Sequence, residues 1–296
     1  MKEPALKELT LGIRGTRIVV KTAGPKNGIP VLLLHGAWGT CLDHMQPLIE
    51  PLVQLGYRVI CPDMRGYGKS QPRTRVFTTK SSYRNYFFQD AADMAHVVKK
   101  VSPSKPVLVM GYSDGGEIGL IMTALYPELV RGSLLWATSG KITKGLIDSF
   151  VAQIPALSDP LWEHPKNEDQ QGWADWKDTL VARHGEESFE TGVKSYVPAV
   201  YSIYAKGGQL LSDTELSKIQ RHVYLVTIEG DVDNPVADVE ALIGKIPTYQ
   251  NGAGPRQWAN VTNYQDVENA HSPQKDPKGL IMLVHDLKQL AELTAK

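Results

Sequence analysis

The chain has 296 residues, of which 42% are hydrophobic and 22% are charged, and its 32 basic residues equal its 32 acidic ones. This length and composition can bury one large core, so we expect one domain with an insertion. A chain without net charge offers no field to attract nucleic acid or an anionic membrane surface, and we expect neither of them as a partner.

Signals for export, membrane insertion and metal binding are not found in the sequence. No apolar segment follows Met1, and no run approaches the roughly 18 apolar residues of a spanning helix, so we expect a cytoplasmic protein. The two cysteines, Cys41 and Cys61, lack a C-x-x-C spacing. We therefore expect buried reduced thiols rather than a metal site or a redox pair.

Predicted strands and helices alternate along most of the chain, beginning with an edge hairpin around Arg14-Gly15. The predicted strands lie at residues 9–13, 16–21, 31–34, 58–61, 107–110, 132–137, 223–228 and 260–267, and the predicted helices at 43–55, 83–101, 116–126, 238–246 and 277–290. Short apolar strands separated by amphipathic helices predict an α/β fold with a mainly parallel sheet covered on both faces.

This alternation breaks between residues 139 and 218. The segment shows no buried-strand pattern and carries several prolines and three tryptophans, Trp162, Trp173 and Trp176. We predict a helical cap (139–218) inserted after the sixth strand into a core formed by 1–138 and 219–296. The three tryptophans either anchor the cap or, with Trp38, contact the substrate, and the sequence leaves both interpretations open.

The most informative motif is G-Y-S-D-G at residues 111–115, between a predicted strand and a predicted helix. A serine on a sharp strand-to-helix turn is presented from the edge of the sheet, and glycines on either side let strand and helix approach closely. Ser113 is therefore the candidate nucleophile. A serine hydroxyl needs an imidazole to accept its proton and a carboxylate to orient that imidazole.

Candidates for these two roles follow later in the chain. Asp233 lies in the turn after strand 223–228, and His271 lies in the loop after strand 260–267, which is the order nucleophile, acid, base. Asp231 lies in the same turn and is the alternative acid, because aspartates are common in turns for local reasons. Thr138, after the sixth strand, is not a carboxylate.

Two further blocks support a family resemblance. Residues 31–39 read V-L-L-L-H-G-A-W-G, and residues 63–70 read D-M-R-G-Y-G-K-S. Together with the 111–115 motif they resemble the α/β-hydrolase fold family over about residues 9–290, and the motif with G-D-V-D at 230–233 is similar to the valacyclovirase-like branch, which cleaves α-amino-acid esters. The resemblance implies an oxyanion hole formed by the backbone N–H groups of Ala37 and Asp114, and its G-x-x-D spacing favours Asp233 as the acid.

Three neighbouring residues have structural or functional interpretations. We expect His35 to bond to the backbone near the oxyanion loop rather than to act as a second base. Glu117, three residues after Asp114, is spaced for a capping box. The Asp114 carboxylate either interacts only with the helix dipole or holds a substrate ammonium group.

The sequence predicts a serine hydrolase that cleaves a small carboxylic ester or related acyl compound through an acyl-enzyme, without metal or organic cofactor. For such an enzyme we expect a small-molecule substrate as the partner and a monomer or homodimer. Two alternatives stay open. One is another reaction of the same triad, such as C–C bond hydrolysis, lactone opening or a biosynthetic step. The other is a ligand receptor with slow turnover, because fold alone does not determine function.

Overall fold

The computed structural model describes residues 5–70, 72, 74–78, 83–226 and 230–247. His271, the predicted strand at 260–267 and the predicted last helix at 277–290 lie outside these residues. Seven described strands form one sheet in the order β1-β2-β4-β3-β5-β6-β7. They are β1 (Lys7–Ile13), β2 (Thr16–Ala23), β3 (Pro30–Leu34), β4 (Arg58–Pro62), β5 (Val107–Tyr112), β6 (Val130–Trp136) and β7 (His222–Val226).

The sheet is antiparallel at one edge and parallel elsewhere. β2 pairs antiparallel with both β1 and β4, whereas β4, β3, β5, β6 and β7 run parallel to one another. The predicted edge hairpin is confirmed: Arg14 (φ 46°) and Gly15 (φ 78°) both adopt the left-handed conformation that a two-residue type I′ turn requires. The predicted mainly parallel sheet is also confirmed.

Helices cover both faces of the sheet. They are α1 (Cys41–Gln54), α2 (Tyr86–Val101), α3 (Asp114–Leu125), α4 (Lys144–Ser149), α5 (Glu168–His184), α6 (Glu186–Tyr204), α7 (Asp213–Leu216) and α8 (Val236–Ile243), with 3₁₀ turns at Val151–Gln153 and Pro160–Trp162. Every residue of β3 and of β5 is buried. Their alternate side chains point to opposite faces, so that Val31 and Leu33 join a core containing α1, whereas Leu32 and Leu34 join a core containing α2 and α3.

The chain between β6 and β7, residues 137–221, is here called the helical segment. Its described regular structure consists of α4 to α7 and the two 3₁₀ turns, with one isolated bridge between Lys141 and Gln209. Gly185, at φ 91°, ends α5 and lets α6 begin directly after it. The helical character agrees with the predicted cap, while the domain boundaries at 139 and 218 stay a prediction.

The expectation of two reduced thiols is wrong. Cys41 and Cys61 are joined by a disulfide, with their Cα atoms 5.6 Å apart and both side chains fully buried. A separation of 20 residues gives no sequence signal for this bond, because the two side chains meet only through the packing of α1 on β4. Disulfides persist mainly in oxidising compartments, so the bridge does not favour the predicted cytoplasmic localisation, which stays a prediction.

Within the part of the chain that the structure describes, no helix has both the length and the apolar composition needed to cross a membrane.

Candidate active site

Ser113 occupies a strained position between β5 and α3. Its backbone angles are φ 54° and ψ −122°, a region that non-glycine residues rarely adopt. The turn is held by backbone bonds, since Ser113 N–H donates to Trp136 O (3.1 Å) and Ser113 O accepts from the N–H of Gly116 (2.7 Å). Strain of this kind costs of order 1–3 kcal/mol and persists where surrounding structure over-determines it.

The glycines of the motif are required by close backbone approach. A Cβ atom at Gly111 would lie 2.3 Å from the carbonyl oxygen of Gly115, and one at Gly115 would lie 2.2 Å from Leu34 O. Any side chain at either position would push α3 away from the strands. This spacing is the reason that Ser113 is presented at the carboxyl edge of the sheet.

Ser113 lines a cavity of about 190 Å³ above the carboxyl ends of the parallel strands, the edge where ligands bind in α/β sheets. The core contributes Tyr112 of β5, Ala37 and Trp38 of the loop after β3, and the first turns of α1 and α3 through His44 and Asp114. The helical segment contributes Ala137, Ile142, Leu146, Phe150 and Tyr196. Asp233 and Asn234, from the turn after β7, complete one side. The cavity thus brings together the predicted nucleophile, both oxyanion residues and the predicted acid, while His271 lies outside the described residues.

The loop that carries Ala37 is held by two histidines. His35 Nδ1 lies 2.8 Å from Gly36 O, and its Nε2 accepts the N–H of Met64 at 3.0 Å, so the ring is neutral with its proton on Nδ1. Burial lowers the pKa of His35 to about 3. The prediction of a structural role for His35 is confirmed, and because Gly36 C=O and Ala37 N–H share one peptide plane, this bond also orients the Ala37 N–H.

His44 is a residue of the site that the sequence analysis missed. Its Nδ1 accepts the N–H of Gly36 at 3.2 Å, and its ring lies so close to Gly39 that a Cβ there would be 2.1 Å away. His44 lies in the first turn of α1, where it carries no recognisable motif. Only the folding of the loop back onto α1 identifies it.

The two aspartates of the acid turn have different environments. Asp231 is buried, and its Oδ1 accepts the N–H groups of Asp233 (3.0 Å) and Asn234 (3.1 Å), which is a local turn-forming arrangement. Asp233 lines the cavity, its Oδ1 accepts a hydrogen bond from Ser149 Oγ, and its carbonyl oxygen accepts one from Thr143 Oγ1 at 2.6 Å. Asp231 therefore shapes the turn that directs Asp233 toward the cavity.

Glu117 does not form the predicted capping box. α3 has no side-chain N-cap bond, and Glu117 Oε1 instead accepts the N–H groups of Ser139 (3.2 Å) and Gly140 (3.1 Å). Burial raises the pKa of Glu117 to about 7. The capping interpretation fails because Glu117 faces the loop after β6, so its carboxyl group ties α3 to that loop at the cavity wall.

The tryptophans of the helical segment do not line the described cavity, in contrast to Trp38. Trp162 is buried and donates its Nε1–H to Ala156 O at 2.8 Å. Trp173 and Trp176 pack edge to face at 5.4 Å, and Trp176 packs against Trp38 at the same centroid distance. In the described residues these rings join the helical segment internally and to the loop after β3.

Asp114 lines the cavity together with the buried phenol of Tyr196. Burial raises the pKa values of Tyr86 and Tyr196 well above their usual value, and the negative charge of Asp114 acts in the same direction. The phenols therefore stay uncharged near neutral pH, and both Asp114 and Asp233 act to raise the pKa of Tyr196. No group of three or more described His, Cys, Asp or Glu side chains is arranged to hold a metal ion.

Comparisons with known proteins agree with this geometry. Residues 29–200, more than half of the chain, match the sequence profile of the alpha/beta hydrolase fold family. Serine hydrolase BPHL of Mus musculus is 32% identical over 114 residues, which cover 38% of this chain and 37% of that protein. Epoxide hydrolase srdG of Neurospora crassa is 36% identical over 103 residues, which cover 34% of this chain and 28% of that protein.

A solved structure extends the similarity of fold. The serine hydrolase CCSP0084 from the polyaromatic-hydrocarbon-degrading bacterium Cycloclasticus zankles superposes with a TM-score of 0.61 at 19% identity, covering 82% of this chain and 87% of that one. This chain spans well under two thirds of the length of the two relatives compared by sequence.

Proposed function

The chain belongs to the α/β-hydrolase fold family, and we propose that it is a serine hydrolase that cleaves a small carboxylic ester through an acyl-enzyme intermediate. The observation that carries this proposal is the strained Ser113, which lines one cavity together with Ala37, Asp114 and Asp233. These are the groups that nucleophilic attack and oxyanion stabilisation require.

In the proposed mechanism, Ser113 Oγ attacks the ester carbonyl carbon while His271 accepts the hydroxyl proton. The oxyanion that forms accepts hydrogen bonds from the N–H groups of Ala37 and Asp114, and the latter is one of the first amides of α3, which have no acceptor within the helix. His271 then gives its proton to the leaving alcohol oxygen as the C–O bond breaks. Water attacks the acyl-enzyme in the same way and releases the acid.

Asp233 is the proposed orienting acid for His271. Its position on the cavity wall supports this role, whereas the Asp231 carboxylate is engaged with two backbone amides of the turn. A carboxylate in this role holds the imidazole in the tautomer that can accept the serine proton and stabilises the imidazolium that follows.

The nucleophile is tested by fluorophosphonate labelling and by hydrolysis of p-nitrophenyl esters. Ser113→Ala should abolish labelling and reduce turnover by a factor on the order of 10⁶, as removal of a triad serine does elsewhere. Ser217→Ala, which removes an exposed hydroxyl that donates to Thr214 O, is the matched control and should keep both properties. Retention of more than about a tenth of wild-type turnover by Ser113→Ala would exclude this mechanism, since the expected loss is far larger.

For the substrate class, we propose an ester that carries an α-ammonium group. The support is the Asp114 carboxylate, which lines the cavity beside buried neutral phenols, because a charge-assisted hydrogen bond is stronger where water is partly excluded. Asp114→Asn should raise KM for α-amino-acid esters and spare their des-amino analogues. An equal rise in KM for the α-amino-acid esters and their des-amino analogues would indicate that Asp114 acts only at the helix start and in the oxyanion hole.

The same experiments separate the proposed enzyme from a slow receptor. An efficient esterase releases many equivalents of p-nitrophenol, whereas a receptor with a vestigial triad stops after one equivalent or fewer. A substrate panel that also contains lactones distinguishes ester cleavage from lactone opening.

A further inference from the structure

The carbonyl oxygen of Trp38 is bound by side chains from a distant part of the chain. Arg183 Nη1 donates to Trp38 O at 3.0 Å, and His184 Nε2 lies 3.3 Å from the same oxygen. Arg183 and His184 are the last two residues of α5 in the helical segment, whereas Trp38 follows Ala37 in the loop after β3. The helical segment therefore contacts the loop that carries a proposed oxyanion donor.

The hydrogen-bond pattern of His184 determines its tautomer. Gly68 N–H donates to His184 Nδ1 at 3.3 Å, so Nδ1 is an unprotonated acceptor. The ring proton then lies on Nε2, which donates to Trp38 O. Burial lowers the pKa of His184, which favours this neutral form.

Arg183 also reaches the start of α1. Its Nε forms an ion pair with Asp43 Oδ2 at 2.9 Å, and the same carboxylate oxygen accepts the N–H of Thr40, the N-cap residue, at 2.9 Å. One guanidinium group thus spans the loop from Trp38 to the first turn of α1. A planar group with several donors in a rigid fork suits such a double contact.

Trp38 itself is strained and enclosed. Its φ of 64° is an outlier for a bulky residue, and such a conformation persists only where the surroundings enforce it. Its indole packs against Trp176 (5.4 Å) and Tyr196 (5.3 Å), and a Cβ at Gly192 would lie 2.7 Å from the ring. All three of these neighbours belong to the helical segment.

We propose that Arg183 and His184 are positioning residues that hold the loop after β3 in the conformation in which Ala37 N–H serves the oxyanion. The inference rests on the proposed function. It means that the position of the helical segment on the core determines the position of an oxyanion-hole donor. His35 fixes the peptide plane before Ala37, and the α5 pair fixes the peptide plane after Trp38. Oxyanion donors act only within about 2.7–3.1 Å of the developing charge, so a displaced loop should weaken catalysis more than substrate binding.

The test compares Arg183→Ala, Arg183→Lys, His184→Ala and His184→Gln with the wild-type protein. Arg221→Ala is the matched control, because Arg221 Nε also donates to a backbone carbonyl, Pro127 O at 3.0 Å, but does not line the cavity. The measurements are kcat and KM for a p-nitrophenyl ester, the affinity of a trifluoromethyl ketone that forms a tetrahedral oxyanion on the serine, and hydrogen exchange of amides 36–44.

Arg183→Ala should lower kcat about 10- to 100-fold, somewhat less than loss of a whole oxyanion donor, with KM within about twofold. Ketone affinity should fall by the same factor, and exchange of amides 36–44 should accelerate. Arg183→Lys should recover part of the loss, and His184→Gln should stay near wild type because an amide can both accept from Gly68 and donate to Trp38. If Arg183→Ala does not fold, kcat and KM of Arg183→Lys and His184→Ala are compared with those of wild type instead, and kcat should again fall more than KM changes.

Arg183→Ala and His184→Ala with kcat within about twofold of wild type, or with a change in KM alone, would overturn the inference. A wild-type protein that fluorophosphonate does not label would instead contradict the proposed function. In that case hydrogen exchange still tests the inference. Faster exchange of amides 36–44 in Arg183→Ala, but not in Arg221→Ala, would show that Arg183 holds the loop after β3. Exchange of these amides at the wild-type rate in Arg183→Ala would overturn the inference.

Discussion

Glu117 should make the free energy of unfolding depend on pH between about 4.5 and about 7. The residue is 5% exposed, and burial raises its pKa from 4.5 to about 7. The folded state therefore binds this proton more tightly than the unfolded chain does. The resulting stabilisation is complete below pH 4.5 and is lost as the pH rises through about 7.

The size of this effect follows from the pKa change. At about 1.4 kcal/mol for each unit of pKa, the difference between 4.5 and about 7 corresponds to about 3 kcal/mol of unfolding free energy. Glu117→Gln removes the titration and keeps an oxygen that can accept the N–H groups of Ser139 and Gly140. The free energy of unfolding of Glu117→Gln minus that of wild type should therefore be about 3 kcal/mol more positive at pH 8 than at pH 4.5.

Urea unfolding of both proteins across this pH range measures the difference, and the comparison cancels the titration of all other groups. Glu128→Gln, which removes an exposed carboxylate, is the control for the change in net charge. A difference between Glu117→Gln and wild type that stays constant within about 1 kcal/mol would refute the assignment of a tightly bound proton to Glu117.

Asp233→Asn should reduce kcat by about 10⁴-fold in a folded protein because the base loses its orienting anion, whereas Asp231→Asn should mainly lower stability, by about 1–3 kcal/mol, through its two turn hydrogen bonds. Ester kinetics and thermal unfolding of both variants rank the two residues, and the opposite ranking would move the acid to Asp231. The double variant Cys41→Ala/Cys61→Ala should lose at least about 3 kcal/mol of unfolding free energy, because the disulfide closes a loop across 20 residues. Urea unfolding with and without reductant checks this, and two free thiols in the non-reduced protein would contradict the bridge.

Local patterns were enough to predict most of the described elements and the nucleophile turn. The predicted strand at 107–110 and the helix at 43–55 appear as Val107–Tyr112 and Cys41–Gln54, because the period of apolar residues reports directly on which faces are buried. The motif at 111–115 was equally informative, since glycines two positions from a serine are needed wherever strand and helix meet this closely. The constraint on Gly111 acts within the motif, on Gly115 O, whereas the constraint on Gly115 comes from Leu34 O in β3.

Tertiary structure alone decided the contacts between distant residues. It placed β4 between β2 and β3, joined Cys41 to Cys61, and turned Glu117 toward the loop after β6 rather than toward its own helix start. It also brought Arg183 to the carbonyl oxygen of Trp38. These pairings depend on which helix faces pack on which side of the sheet, and side chains 20 to 145 residues apart leave no periodic signal of their meeting.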